Sequence, residues 1–462
     1  MGLFDKFKKS KDVSSKISID IDVQEQEMSL DRYSSMATYP KKFESKLSKD
    51  LITDKISKSD EVELIKISEY IEEIGGFAAD FKYLETLYND VIIKDATFEE
   101  LNYMESIKKY NTRPLIDGEI NGAQQVRYSI YTNVLFSDNP TQDFHFQLKL
   151  LYLLSGDTYL LQDVSGDQYF SGEWFKISAK SKIAPSPDSM YKIDAVVDNE
   201  NGERKIWLHT HGLNRMGIVE LDLLEITEAP ETQYEFLNYL AKFMMNAPNE
   251  IKNYKVIEPA KEIRVILLDY ERGLDIFAQL SNKSKNTLLG GMSDRDDYHT
   301  GNRSVVLIAD NNNKYQLTDS VSNNLTNNPL LWVSTNETMR MSEKAKETFE
   351  YFKLVYSDKS NDKNWGFIIK VAYQMDGTKI EDNEKEHLWF EIESLGDESN
   401  GNSTVARLMN APYYVKELKK DKSYTIDLNN LTDWVIYTPD MALNTENIFI
   451  YPSKYLESGQ IS

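Results

Sequence analysis

Apolar residues in the first part of the chain are scattered among lysines and serines with weak periodicity, so residues 1–58 read as a flexible basic and polar arm, with a nascent helix near Lys41 to Leu51. From Ser59 the pattern tightens. Val62, Ile65, Ile67, Tyr70, Ile71 and Ile74 fall near helical spacing, Ser59 stands where a cap belongs, and Gly75-Gly76 ends the run. A second helix is predicted over Thr97 to Tyr110, where Thr97 and Glu100 have capping-box spacing and Leu101, Met104 and Ile107 form the stripe. Residues 59–125 therefore read as a helical segment.

Past Pro114 the texture changes. Val126 to Tyr131 is strand-like, and Asp143 to Leu154 predicts a helix with Phe146, Leu150 and Leu153 inward. Tyr159 to Val164, Trp174 to Ala179, Tyr191 to Val197 and Lys205 to His209 follow as short β-type runs separated by glycines and prolines. A capping box at Thr232 and Glu235 opens a further helix, which closes an α+β domain over residues 126–250. Residues 251–359 form a second α+β domain: strands at Ile263 to Leu268 and Val305 to Ala309, a long polar loop from Ser281 to Asn302, a solvated asparagine-rich stretch from Asn311 to Asn328, and a helix from Ser342 to about Tyr356. Residues 360–462 are β-rich, with five short strands at Phe367 to Tyr373, His387 to Ile392, Val405 to Met409, Tyr424 to Leu428 and Trp434 to Tyr437. The fold class expected is α+β: an N-terminal helical arm, central α+β domains with antiparallel sheets, and a small, mostly β C-terminal domain.

Composition narrows the chemistry more than the fold. The 462 residues are 40% hydrophobic, which excludes a wholly disordered chain and, at roughly 150 residues per domain, fits two or three domains. With no cysteine there is no disulfide framework, thiolate zinc site, iron–sulfur cluster or cysteine nucleophile, which fits a cytoplasmic location. The 53 basic against 75 acidic side chains give a net charge of −22, which argues against nucleic acid and for a protein partner of basic character, or simply for solubility. No run of about 18 apolar residues predicts a transmembrane segment. Met1 to Lys11 carries Leu3, Phe4 and Phe7 against four lysines, an amphipathic stub suited at most to weak membrane contact; it lacks the apolar core of a secretory signal.

The candidate chemistry centres on Trp207-Leu208-His209-Thr210-His211-Gly212-Leu213-Asn214-Arg215. On a strand, His209 and His211 point to one face, within reach of one metal ion, and Glu220, Asp222 or His299 would complete a nitrogen and oxygen site that zinc accepts. The metal ligands proposed from sequence are His209, His211 and Glu220, and the binding-surface candidates are Trp207, His209, His211, Arg215 and His299. The competing reading ties both imidazoles to backbone carbonyls as structural groups, with Arg215 paired to Glu220. No cofactor is expected beyond that zinc. Asp294-Arg295-Asp296-Asp297 lacks the spacing of a calcium loop and reads as a solvated turn. Glu386 and His387 are strand neighbours on opposite faces, so they cannot act as an acid/base pair, and Asp433 reads as a turn acid before a core tryptophan.

Several stretches carry a resemblance. Phe146 to Leu151, Ser171-Gly172-Glu173-Trp174, Ala179-Lys180-Ser181, Pro185-Ser186-Pro187-Asp188, Tyr191, Ala195-Val196 and Trp207 to Arg215 together resemble an uncharacterised bacterial family, domain of unknown function forty twenty-six. Glu386 to Phe390, Leu408 to Pro412, the Leu418 to Asp421 turn and Leu431 to Trp434 resemble a second, domain of unknown function twenty-three fourteen. The resemblance implies fold unity and bacterial origin and brings no established reaction; domains of this sort resemble parts found near toxin–immunity systems, which implies a binding role. Two functions are therefore carried forward: a non-catalytic, immunity- or adaptor-like binding protein, and a metal-dependent hydrolase using His209 and His211.

Overall fold

The computed structural model describes residues 19–21, 30, 32–42, 46–97, 111, 113–115, 117–199, 204–246, 255–295, 302–327, 335–379, 384–396 and 402–451. The chain divides into two compact units, one of Tyr33–Met190 with Val333–Ser462, the other of Met1–Arg32 with Tyr191–Trp332. Their elements make three sheets, antiparallel apart from one parallel pair, combined with helices, an α+β architecture. No helix among the described residues is long and apolar enough to cross a membrane.

The larger unit starts where an arm was expected. β1 (Tyr33–Pro40) lies between β5 (Tyr128–Leu135) and β6 (Thr158–Asp163) in a sheet ordered β2-β3-β4-β5-β1-β6-β7, with β2 (Val62–Ile67), β3 (Phe77–Tyr83), β4 (Thr86–Thr97) and β7 (Gln168–Ser171). Met36, Ala37 and Tyr39 are fully buried, because an interior strand covered on both faces reads as a short continuous run rather than an alternation. The helix expected from Ser59, and the helical segment expected over residues 59–125, do not form: most of the described residues there are β2, β3 and β4, and only Asp117–Ala123 is helical. Val62–Ile67 is an edge strand, and Gly75-Gly76 belongs to the turn region that leads into β3, with Ile71 bridged to Gly76. Its valine and isoleucines favour the pleated backbone, and the helical spacing across Ile67 to Ile74 was coincidental. The predicted helix over Thr97 to Tyr110 lies outside the described residues except for Thr97, which ends β4.

The helix Pro140–Ser155 forms as expected, with Asn139 accepting a hydrogen bond from Gln142 N and Phe146 and Leu150 buried, but Leu154 takes the inward place expected of Leu153, which is half-buried. Trp174 to Ala179, expected as a strand, lies in the helix Gly172–Lys180: the Ser171 hydroxyl accepts from Trp174 N, and Trp174, Phe175, Ser178 and Ala179 recur at helical intervals on the buried side. The third sheet, in the same unit, is ordered β18-β17-β16-β15-β19-β20, from β15 (Gly366–Gln374), β16 (Lys385–Leu395), β17 (Ser403–Leu408), β18 (Ser423–Asp427), β19 (Leu431–Tyr437) and β20 (Ala442–Asn444). The five β runs read from alternation are all there. Asp433 sits within β19 rather than in a turn, and burial raises its pKa. The helix expected from Ser342 is two helices, Thr335–Glu347 and Phe349–Lys359, broken at Thr348. Trp434 closes this core, donating to Ala345 O at 3.2 Å and packing on Phe352. Glu347 joins the two parts of the unit by accepting hydrogen bonds from Ser181 Oγ and from Lys182 N at 2.7 Å.

The smaller unit holds the sheet β11-β12-β13-β10-β9-β8, built from β8 (Lys192–Asp198), β9 (Lys205–His211), β10 (Glu220–Ile226), β11 (Val256–Ala260), β12 (Ile263–Asp269) and β13 (Arg303–Ala309), with β14 (Tyr315–Gln316) paired to β13 off this path. β10 and β13 pair in parallel. The expected helix near Thr232 spans Pro230–Asn246. The helix Tyr270–Ser281, capped by Asp269, fills part of the region between strands that was not assigned from sequence. The asparagine-rich stretch is less solvated than expected: Tyr315, Thr318, Ser322 and Leu325 are buried, and Ser322–Asn327 is a short helix.

Candidate functional site

The site grows from a hairpin. β8 and β9 pair antiparallel, so Asp194 stands opposite His209 and Lys192 opposite His211; β10 flanks the other side, with Asp222 opposite His209. Side-chain alternation puts His209 and His211 on one face, as the sequence indicated, and Trp207 with them. All three are buried, at 2 or 3% exposure. The His209 ring stacks on the Trp207 indole at 4.1 Å and meets His211 edge to face at 4.9 Å.

Asp194, His209 and His211 each offer a ligating atom, and these atoms lie within 4.8 Å of one another. Asp194 Oδ2 is 3.6 Å from His211 Nε2 and accepts the Lys192 ammonium at 2.7 Å. Glu220, the carboxylate proposed from sequence, does not join them. It accepts from Thr210 Oγ1 at 2.7 Å, Gly212 N at 2.8 Å and Asn214 N at 3.2 Å, clamping the loop after β9. Burial pushes its pKa up against the opposing charge of Arg303. Arg215 is buried in the turn Asn214–Met216 rather than displayed on a surface. His299 lies outside the described residues.

Beside the imidazoles lies a buried charge network that sequence reasoning missed. Asp222 accepts from Trp207 Nε1 at 2.9 Å, Arg295 Nη1 at 3.0 Å and Arg303 Nε at 3.3 Å. Burial alone would raise the Asp222 pKa, but the two guanidinium groups and His209 hold it at about 2. Arg295 comes from the loop expected to be a solvated turn, yet its side chain is fully buried, its guanidinium lying over the Trp207 and Tyr270 rings. Its Nε donates to Gly290 O at 2.7 Å, and Asp294 accepts from Gly290 N at 2.9 Å; Asp296 and Asp297 lie outside the described residues.

Gly290 has φ +78, and a Cβ there would come within 2.6 Å of Trp207 Cγ. Gly290→Ala should therefore cost about 1–3 kcal/mol, through a left-handed backbone and overpacking onto the indole. Equilibrium urea unfolding checks this, and a loss below a few tenths would mean that the loop is not seated on Trp207.

Asp194 was recoverable from the sequence. With Asp198 opposite Lys205 at the start of the hairpin, counting four residues along each strand places Asp194 against His209. Arg295 and Arg303 gave no such signal, because they reach Asp222 through a long loop and a parallel strand pairing.

Two imidazoles and one carboxylate on adjacent strands make a nitrogen and oxygen donor set that suits zinc and neighbouring divalent first-row metals. Asp194 could serve as the carboxylate of such a set only if the Lys192 ammonium gave up its oxygen. The neighbouring Asp222 is neutralised by its arginines and is engaged elsewhere.

Family models match three parts of the chain: the N-terminal part of a protein of unknown function (DUF4026) over residues 34–185, the C-terminal part of the same family over 193–307, and an uncharacterized protein conserved in bacteria (DUF2314) over 336–445. The chain thus belongs to the DUF4026 family and carries a DUF2314 domain after it. The site lies in the C-terminal DUF4026 part. Neither a curated protein nor a solved structure matches the chain.

Proposed function

We propose that this chain is a metal-binding protein that holds one divalent ion, zinc by donor preference, on Asp194, His209 and His211. The observation that carries this reading is the approach of their three ligating atoms to within 4.8 Å. Three protein ligands leave a coordination position for water, the arrangement of a hydrolytic zinc centre rather than of a closed structural one. The metal-dependent hydrolase reading is therefore kept, with Asp194 in place of Glu220 as the carboxylate ligand. Lys192 balances Asp194 without metal, so uptake exchanges one cation for another.

Elemental analysis of the full chain after zinc loading and dialysis tests this. We expect about one zinc per chain in the wild type, loss in His209→Ala and His211→Ala, and retention in Glu220→Gln, whose carboxylate serves only the loop. Trace metal in the wild type, or loss in Glu220→Gln alone, would sink the assignment.

The net charge of −22 supports a second reading, a non-catalytic protein that meets a basic partner, with nucleic acid disfavoured. The absence of cysteine supports a reducing, cytoplasmic setting for either. Capture of a partner from lysate that weakens as salt rises favours the binder; salt-insensitive capture counts against it.

A further inference from the structure

The larger unit has a cavity of about 220 Å³ that the metal reading does not use. It gathers two motifs of the DUF4026 resemblance, Ser171 to Trp174 and Pro185 to Asp188, against the turn that follows β20. One wall is aromatic: Phe170 and Trp174 stack at 3.8 Å, and Phe449 lines the cavity with them. Charges of both signs line the same space. The Arg113 guanidinium lies 4.5 Å from the Phe170 ring centre, fixed by Gln168 Oε1 and the Asp188 carbonyl, both at 2.7 Å. Asp188 and Glu446 line it as acidic residues, Glu446 held by Arg340 at 2.7 Å.

This space is smaller than the roughly 300–1,000 Å³ of drug-sized and cofactor pockets, so it suits a single small metabolite. A simple organic cation would gain from Glu446 and the rings but be repelled by Arg113. A simple carboxylate would gain from Arg113 and be repelled by Glu446 and Asp188. A ligand that carries an ammonium and a carboxylate attached to one carbon, with an apolar body for the aromatic wall, meets charges of both signs without net repulsion. We propose that this cavity binds a free α-amino acid with an apolar or aromatic side chain.

Isothermal titration calorimetry on the full chain decides it, with L-phenylalanine and L-leucine as probes. Phenylpropionate lacks the ammonium, phenethylamine lacks the carboxylate, and glucose tests a sugar site. We expect saturable binding of at least one amino acid, and binding at least about tenfold weaker for both truncated analogues. Glu446→Gln and Arg113→Gln should each weaken the amino acid by about tenfold or more. Arg340→Gln, which removes the partner of Glu446 but leaves its charge, should bind at least as tightly as wild type, whereas a merely structural role for the pair would weaken it. The proposal fails if no amino acid binds at millimolar concentration, if glucose binds instead, or if both charge variants, still folded by circular dichroism, bind the amino acid as the wild type does.

Discussion

Asp222→Asn should lower the stability of the smaller unit by about 3–5 kcal/mol, the cost of breaking a buried ion pair from one side. Asparagine keeps the shape and can still accept from Trp207 Nε1. It leaves the guanidinium groups of Arg295 and Arg303, both almost fully buried, without the carboxylate that now compensates them. Trp207→Phe, which removes one neutral donor from the same carboxylate, should cost far less in polar terms, about 1–2 kcal/mol. Urea unfolding followed by circular dichroism compares the two. Adding Arg303→Gln to Asp222→Asn should recover part of the loss, because the second substitution removes one of the stranded charges. A loss below about 1 kcal/mol for Asp222→Asn would mean that water reaches the arginines and that the network is not closed.

That network also shows what the sequence carried and what it did not. Half-buried strands such as β16, in which buried Glu386, Leu388, Phe390 and Ile392 alternate with more open residues, were legible because one face meets the core and the other does not. β1 was not, since a strand covered on both faces has no alternation to read. The helix Tyr270–Ser281 hid behind Gly273, a residue that lowers helix propensity; the glycine is needed because a Cβ there would fall 2.4 Å from Val305 Cβ on the sheet beneath. In the site, the two histidines were legible from their spacing. Glu220 drew attention as an acid close along the chain, but what decides ligation is the strand register, which brings Asp194 across from His209 and leaves Glu220 to the loop. Arg295 looked like part of a solvated turn because nothing local reveals that Trp207 and Tyr270 receive it.

The second large effect is expected in acid, and it belongs to the other unit. His145 lies on the helix Pro140–Ser155, buried, with its Nδ1 3.3 Å from the Tyr83 hydroxyl. Burial, then the nearby positive charges of Lys149 and Lys344, lower its pKa from 6.5 to about 4, although the Ser178 and Ser181 backbone favours the charged form. The lysines that face it are held in ion pairs: Lys149 with Glu61 at 2.6 Å, and Lys344 with Glu347 at 3.3 Å. Above pH 6.5 the imidazole is neutral in both folded and unfolded chains and contributes no pH dependence. As pH falls below 6.5 the unfolded chain takes up the proton first, so stability declines until the folded state protonates near pH 4. Across that window the wild type should lose about 3 kcal/mol from this one group. His145→Gln removes the titration while keeping a polar side chain. Its unfolding free energy, measured by urea titration at pH 7 and pH 4, should therefore fall by about 3 kcal/mol less than that of the wild type, even if it starts lower. Parallel declines would show that His145 protonates as readily in the folded protein as in the unfolded chain, and that its contacts with Tyr83 and the two lysines do not keep it neutral.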